Sequence, residues 1–325
     1  MKEIVIVAPD GDIDIGSITG TFQILQWANH HWQTMGHRPA VRVRLAGLEA
    51  EQRLDFGFFA IHPLPIHEMD RVDLLVIPSL RQDYRAVVKK NDELIDWIRE
   101  QYKSGTEIAS ICTGAFLLAA TGLLDGRKCG VHWDAAEDLQ QLFPKVQVLS
   151  DTVITSGRGL YTNGGGYSFL NLVLFLVEKY FDRPTAILCS KMFQIEFDRV
   201  SQTPYTIFQM QKNHGDDLVS EAQAYIEENL GEKISFVDLA AKLAISRRNF
   251  DRRFIKATGN TPVEYLHRVK VEVAKSALEK GRKTIFEVMM EVGYTDDKSF
   301  REVFKKITGV SPWDYRAKFN REAVA

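Results

Sequence analysis

The stretch IASICTGAFLLAATGLLDG, residues 108–126, passes from an apolar β pattern through Cys112 and a Thr-Gly pair into a longer helical pattern. A strand over Glu107–Cys112 that turns sharply into a helix over Thr113–Leu124 places the Cys112 side chain at an elbow in open space. There it lies beside helix N–H groups that have no partner within the helix. Such a helix end favours a thiolate. From these residues alone four roles stay open for the thiol: a pocket-lining group without turnover, a redox or electrophile sensor, a catalyst, or a plain buried thiol.

On either side of the elbow the chain alternates. KEIVIVA (2–8), VRVRLAG (41–47), VDLLVIP (72–78), EIASIC (107–112) and VITS (153–156) read as buried strands, and 17–35, 91–104, 113–124, 134–142 and 166–181 as helices. This order predicts a parallel sheet with helices on both faces. Ligands of such sheets bind outside the carboxyl ends of the strands. Cys112, the Pro9–Asp14 loop and the Gly157–Gly166 loop all follow strands, so they are expected to converge there. His132, next to Trp133, serves equally well as a ligand contact or as a hydrogen-bonded structural histidine. TNGGGY (162–167) lacks both the G-x-G-x-x-G spacing and a P-loop lysine, which argues against a nucleotide site.

Composition sets the outer bounds. With 45% apolar and 26% charged residues, the 325-residue chain reads as two soluble domains. No apolar run approaches the roughly 18 residues of a membrane span. The opening MKEIVIVAPDGD is a strand and a loop, too short an apolar segment for a signal peptide. Three widely spaced cysteines without a C-x-x-C pair argue against zinc and a disulfide framework, and make a reducing cytoplasm the expected location. Cys129 and Cys189 read as small core residues. No metal or cofactor is expected.

The formal charge of −2 conceals an asymmetry. Residues 216–325 hold 20 Lys/Arg against 18 Asp/Glu, and between 242 and 256 six basic residues stand against Asp251 alone. The same region repeats itself. SRRNFDRRFIKATGNTPVEYL (246–266) and DDKSFREVFKKITGVSPWDYR (296–316) match at an offset of 50 residues. Phe250 meets Phe300, Phe254 meets Phe304, Lys256 meets Lys306, Thr258-Gly259 meets Thr308-Gly309, Pro262 meets Pro312 and Tyr265 meets Tyr315. Short amphipathic helices, Phe236–Leu243 and Ile285–Val292, precede the copies, and a longer helix over 263–280 links them. Short helix, tight turn, second helix is the helix-turn-helix pattern.

At about 100° per residue, Phe250 and Phe254 fix the core side of the first copy's second helix. Arg248, Asn249, Arg252 and Lys256 then point the other way. Ser246 is a good N-cap, and Arg247 and Arg248 at the helix start would approach phosphates and base edges. The second copy presents Lys298, Ser299, Glu302 and Lys306, with Arg301 at the flank, and is less basic. The first copy is therefore expected to supply more of the affinity for double-stranded DNA.

These repeats, their G-[NV]-[TS]-P-x-x-Y ends and the stretch EVGYTDDKSFREVFKKITGVSPWDYR resemble the DNA-binding domain of AraC/XylS-type transcription regulators over about Asp217–Phe319. The resemblance implies base contacts from Arg248, Asp251, Arg252, Lys298, Arg301 and Glu302, and a phosphate contact from Arg247. Met289 and Lys270 depart from the family's usual residues, away from the reading surface. Upstream, Cys112 and GLLDGRKCGVHW with its His132 resemble the DJ-1/PfpI group of class I glutamine-amidotransferase-like domains over about residues 1–190. Catalytic members pair the elbow cysteine with a histidine and a carboxylate from the first loop. Here Thr113 stands where the protease-like branch has its histidine, and the first loop offers Asp10, Asp12 and Asp14 but no glutamate.

The combination resembles GlxA-type bacterial regulators. It implies a flavodoxin-like parallel-sheet α/β domain over 1–195 that senses a ligand, a linker over 196–216, and an all-α domain with two helix-turn-helix motifs over 217–320. The ligand pocket is expected at Asp12, Asp14, Cys112, Thr113, His132 and Trp133, for a small nitrogenous metabolite. The expected protein is a dimeric, non-enzymatic activator with DNA, effector and RNA polymerase as partners. The competing class is a cysteine-dependent hydrolase or lyase tethered to DNA.

Overall fold

The computed structural model describes residues 1–320 apart from Asp55, Gln82, Asp198 and Asn213. The chain divides into two compact units, Met1–Gln202 and Thr203–Ala325. The stretch 196–216, expected as a linker, is shared between them. In the first unit Gln202 N–H donates to Asp151 O at 2.9 Å. In the second, Phe208 packs edge-on against Tyr265, and Gln223 holds the Met210 carbonyl at 2.8 Å. Apolar residues at 208 and 210 give this stretch a core to join, which a purely polar linker would lack.

In chain order the strands of the first unit are β1 (Lys2–Ala8), β2 (Val41–Gly47), β3 (Gln52–Leu54), β4 (Phe59–Ile61), β5 (Leu64–Pro65), β6 (Leu74–Ile77), β7 (Glu107–Ser110), β8 (Lys128–Gly130), β9 (Gln147–Leu149), β10 (Ile154–Gly157) and β11 (Leu160–Asn163). Seven form one sheet in the order β10-β11-β7-β6-β1-β2-β5, while β3–β4 and β8–β9 are separate two-stranded ribbons. Every neighbouring pair in the large sheet is parallel except β10–β11. The strand expected at VITS is therefore the antiparallel edge, and the second parallel partner of β7, besides β6, is the short β11, hidden in sequence by the glycines that follow it.

Both faces of the sheet are covered. In KEIVIVA, Ile4 and Ile6 enter one buried cluster and Val5 and Val7 the other, which is why the strand reads as continuously apolar. Helices α1 (Ile15–Thr34), α6 (Phe169–Tyr180) and α7 (Arg183–Phe193) pack on one side. Helices α2 (Tyr84–Lys90), α3 (Asp92–Lys103), α4 (Ala115–Ala120) and α5 (Ala136–Leu142) contribute to the other. The helix expected over 113–124 is shorter. A 3-10 turn occupies Cys112–Gly114, and α4 ends at Ala120 before Gly122 at φ +77°.

The second unit is helical: α8 (Asp217–Glu228), α9 (Phe236–Lys242), α10 (Arg247–Thr258), α11 (Pro262–Lys280), α12 (Ile285–Glu291), α13 (Asp297–Thr308) and α14 (Pro312–Phe319). Ser235, Ser246, Thr261, Thr284, Asp296 and Ser311 each accept a backbone N–H of the helix they precede. Two cores form. Phe236, Phe250, Phe254 and Tyr265 close the first, and Val288, Met289, Phe300, Phe304 and Tyr315 the second. Helix α11 serves both, with Leu266 and Val269 in one and Val271, Ala274 and Leu278 in the other.

Candidate functional site

Two places gather the residues singled out in sequence. The first is the outer surface of α10 and α13. Burial of Phe250, Phe254, Phe300 and Phe304 fixes the roll of both helices, since residues four apart share a face. Arg248, Arg252 and Lys256 are exposed on α10, with Asn249 partly so, and Lys298, Ser299, Arg301, Glu302 and Lys306 are exposed on α13.

The basic run is less uniform than its composition. Arg247 Nε donates to both oxygens of Asp251, at 2.8 and 2.9 Å, and its guanidinium lies 5.4 Å from the centre of the Phe236 ring. The Asp251 carboxylate thus faces Arg247 along the helix. Arg301 pairs with Asp297 at 2.7 Å in the same way. Arg252 Nη2 donates to Asn249 Oδ1 at 3.0 Å, which orients the guanidinium along the outer face. Arg253 belongs to a different side: it makes a two-pronged pair with Asp216, the N-cap of α8, at 2.7 and 3.0 Å. That guanidinium holds the Asp216 carboxyl below the usual carboxylate range. The role of Arg253 was not legible, because its partner lies 37 residues away.

The residues that departed from the family pattern lie off this surface. Met289 is buried in the second core. Lys270 is buried in α11, its Nζ 5.1 Å from the centre of the Tyr294 ring, and burial lowers its pKa.

The second place is the carboxyl end of the sheet. The loop after β1 and the loop after β6 are zipped together: Asp14 N–H donates to Ser79 O at 2.9 Å, Arg81 N–H donates to Asp12 O at 2.8 Å, and Ile13 bridges Leu80. The elbow is bolted to the same loop. Thr113 Oγ1 accepts from Leu80 N–H at 2.9 Å, donates to Leu80 O at 2.6 Å and lies 3.0 Å from Ser79 Oγ. Its hydroxyl is thereby saturated within the protein. Gly114 makes the approach possible, because a Cβ there would stand 2.5 Å from Pro78 O.

Cys112 does adopt an elbow conformation, with φ +53°. The thiol does not stand in open space, however: the residue is 6% exposed. Burial pushes its pKa up, outweighing the hydroxyls of Ser79 and Thr113, and the Asp14 carboxylate acts in the same upward direction. The expected thiolate-favouring helix end is overridden because α4 begins three residues later, after the 3-10 turn. Asp14 caps α1 through Gly16 N–H and lies 3.5 Å from Arg81 Nη2, while Asp12 is exposed.

His132 accepts Asp134 N–H on Nδ1 at 3.2 Å and tilts against Trp133. This bond requires a neutral ring with its proton on Nε2, and burial lowers the His132 pKa accordingly. Its hydrogen bond does not go to Cys112. Trp133 N–H donates to the buried Gln202 Oε1 at 3.1 Å. The Ser79–Arg81 loop is the part of the site sequence reading missed; its position after a central strand was the available signal.

A doubly covered parallel sheet with a cysteine elbow, followed by paired helix-turn-helix motifs, defines a protein of two units, one α/β and one helix-turn-helix. The chain belongs to the DJ-1/PfpI family, which it matches over residues 4–179, and residues 239–318 match a helix-turn-helix domain of AraC type. The HTH-type transcriptional regulator GbdR of Pseudomonas aeruginosa is 28% identical over 246 residues, 75% of this chain and 66% of its own length. The present chain thus spans just under two thirds of that relative. CdhR of the same species, also an HTH-type transcriptional regulator, is 23% identical over 254 residues, covering 78% of this chain and 74% of CdhR. A putative transcriptional regulator from Vibrio parahaemolyticus superposes with a TM-score of 0.53 at 26% identity, over 59% of this chain and 98% of that one.

Proposed function

We propose that this protein is a sequence-specific DNA-binding transcription regulator, an activator, in which the DJ-1/PfpI unit binds a small nitrogenous metabolite and the two helix-turn-helix motifs read adjacent major-groove segments. The observation that carries the reading is the outward face of α10, where Arg248, Arg252 and Lys256 stand exposed on a helix whose roll is fixed by two buried phenylalanines. Two regulators among the relatives support it. The protein acts as a cytoplasmic homodimer and engages RNA polymerase at its promoters.

Arg248, Asn249, Arg252 and Lys256 meet DNA in the first motif, and Lys298, Ser299, Arg301, Glu302 and Lys306 in the second. Arg247 meets a phosphate and Asp251, its partner in the free protein, a base edge. The effector is bound at the end of the sheet, by Asp12, Asp14, Cys112, His132 and Trp133, with Thr113 setting the elbow.

The unit works without turnover. A cysteine hydrolase would use the same φ +53° elbow, but its nucleophile must ionise near neutral pH, and burial opposes that for Cys112. The test is a genome-wide map of bound sites with full-length protein, followed by insertion of five base pairs between the two half-contacts of one site. The insertion turns the second contact to the opposite side of a duplex whose turn is about 34 Å, so binding should collapse. Retained affinity would remove α13 from the groove. In parallel, the purified protein should show no turnover of amides, peptides or α-oxoaldehydes. A reaction that disappears in Cys112→Ser would establish the enzyme reading instead.

A further inference from the structure

The first unit carries a cavity away from the elbow. A cleft of about 720 Å³ is lined by residues of β8, β9, β10 and β11, and none of Asp14, Cys112, Thr113 and His132 lines it. Its charge is lopsided. Arg127, Lys128 and Arg158 stand at its wall, and none of the three has a carboxylate partner among the described residues. The lining carboxylate, Asp125, is held by Lys145 at 3.1 Å. Thr155 and Ser156 line the same space, the Thr155 hydroxyl bonded to Thr162 Oγ1 at 2.6 Å.

The way the two arginines are held adds an independent observation. β10 and β11 are joined by Arg158 at φ +52° and Gly159 at φ +75°, a two-residue turn with both φ positive. Glycine or asparagine suits the first position of such a turn, and a long branched side chain does not. The backbone there is held by Tyr102, whose Oη donates to Arg158 O at 2.7 Å. The same phenol accepts from Arg127 Nη1 at 3.2 Å. One residue of α3 thus fixes the backbone under one guanidinium and the head of the other, on the rim of a cleft of ligand size.

We propose that this cleft binds a small oxyanion, a carboxylate or a phosphate, as a second ligand site on the DJ-1/PfpI unit, separate from the elbow. Guanidinium forks and hydroxyls without a carboxylate partner are the donor set that such anions select. The site also has a route to the elbow side. Lys128 opens β8, whose chain continues through Gly130 and Val131 to His132, and Gly130 N–H donates to Thr162 Oγ1 at 2.7 Å on the cleft wall. A ligand that engages Lys128 acts on the strand that leads to His132 and Trp133.

The test is calorimetric titration of the full-length protein with inorganic phosphate and with citrate, at fixed ionic strength set with chloride. At least one probe should bind in the millimolar range or tighter. It should bind about tenfold more weakly, a change of about 1.4 kcal/mol, to the double variant Lys128→Gln, Arg158→Gly. Glycine suits φ +52°, so this variant keeps the turn, and an unchanged melting midpoint without ligand verifies it. Citrate binding alone would name a carboxylate and phosphate binding alone a phosphate ligand; both together support the oxyanion class. The proposal is overturned if neither probe binds the wild type or if the double variant binds as well as the wild type.

Discussion

The two helix-turn-helix halves share a skeleton and differ at several of the points where that skeleton meets solvent. Thr258 and Thr308 close their helices by donating to Phe254 O and Phe304 O, at 2.8 and 2.9 Å. Tyr265 and Tyr315 donate to Glu227 and Glu279, at 2.9 and 2.6 Å. Outside, an ion pair recurs four residues apart with its polarity reversed, Arg247–Asp251 in α10 and Asp297–Arg301 in α13. Arg252 becomes Glu302, and Arg253, tied to Asp216, becomes Val303. The turns differ as well: Ala244 takes φ +55° where the longer second turn has Gly293 at φ +73°. Burial keeps what the fold needs, and the exposed positions are freer to differ.

The largest effects should come from breaking that common skeleton. Phe254 and Phe304 are fully buried, each with its ring next to the tyrosine of its own half, 5.3 Å from Tyr265 and 5.6 Å from Tyr315. Phe254→Ala and Phe304→Ala should each destabilise by about 3–5 kcal/mol in urea unfolding. Because the cores are separate, Phe304→Ala should speed amide exchange in α13 and α14 and spare α10. Uniform loss of protection across both halves would show a single cooperative core.

At the reading surface the asymmetry should appear as affinity. Arg252→Ala should weaken the specific site by about 1–3 kcal/mol and relax the preference at one base pair. Glu302→Ala should lose less, since a carboxylate that accepts from cytosine also repels the neighbouring phosphates. Equal losses on specific and random DNA for Arg252→Ala, in competition binding, would remove it as a base reader.

These contrasts also mark what was legible in the sequence. The repeat, its periodic phenylalanines and its Thr-Gly and Pro-x-x-Tyr punctuation are local patterns, so both motifs and their outward faces could be read directly. Strands such as KEIVIVA were equally plain, being apolar on both faces. Three features were not. β11 is four residues long and abuts a glycine run. The burial of Cys112 depends on the Ser79–Leu80 loop more than thirty residues upstream, and the Arg253–Asp216 pair spans 37 residues. Local pattern gives a side chain's direction; its partner comes from the far side of the fold.

The reversed ion pairs give a finer test. If Arg247 leaves Asp251 for a phosphate on binding, Arg247→Ala should weaken all sequences alike and reduce the salt slope by about one unit. Asp251→Asn should do the opposite, strengthening binding to any DNA by freeing the guanidinium. Its effect on folding should stay near 0.3–0.5 kcal/mol, the usual size of an exposed pair four residues apart. An unchanged salt slope in Arg247→Ala would mean that the pair stays closed on DNA.

The smallest effect should separate the halves through pH. Asp216 is held below its ordinary pKa first by the hydrogen bond from Arg253 and then, after the opposing effect of burial, by Val219 N–H. A carboxyl lowered in the folded state contributes stability above its unfolded value, about 4, and loses it as pH falls through the lower folded value. Asp216→Asn preserves an N-cap side chain for α8 while removing the charge. The variant should therefore be slightly less stable than wild type at pH 6 in chemical denaturation, and the gap should shrink steadily below pH 4 as the wild-type carboxyl protonates. Val303 stands where the second half would need an arginine, so the change in amide exchange at pH 6 should be confined to α8 and α10. A gap that persists unchanged at low pH would trace the difference to packing at residue 216, and one that spreads to α13 would show the halves coupled through α11.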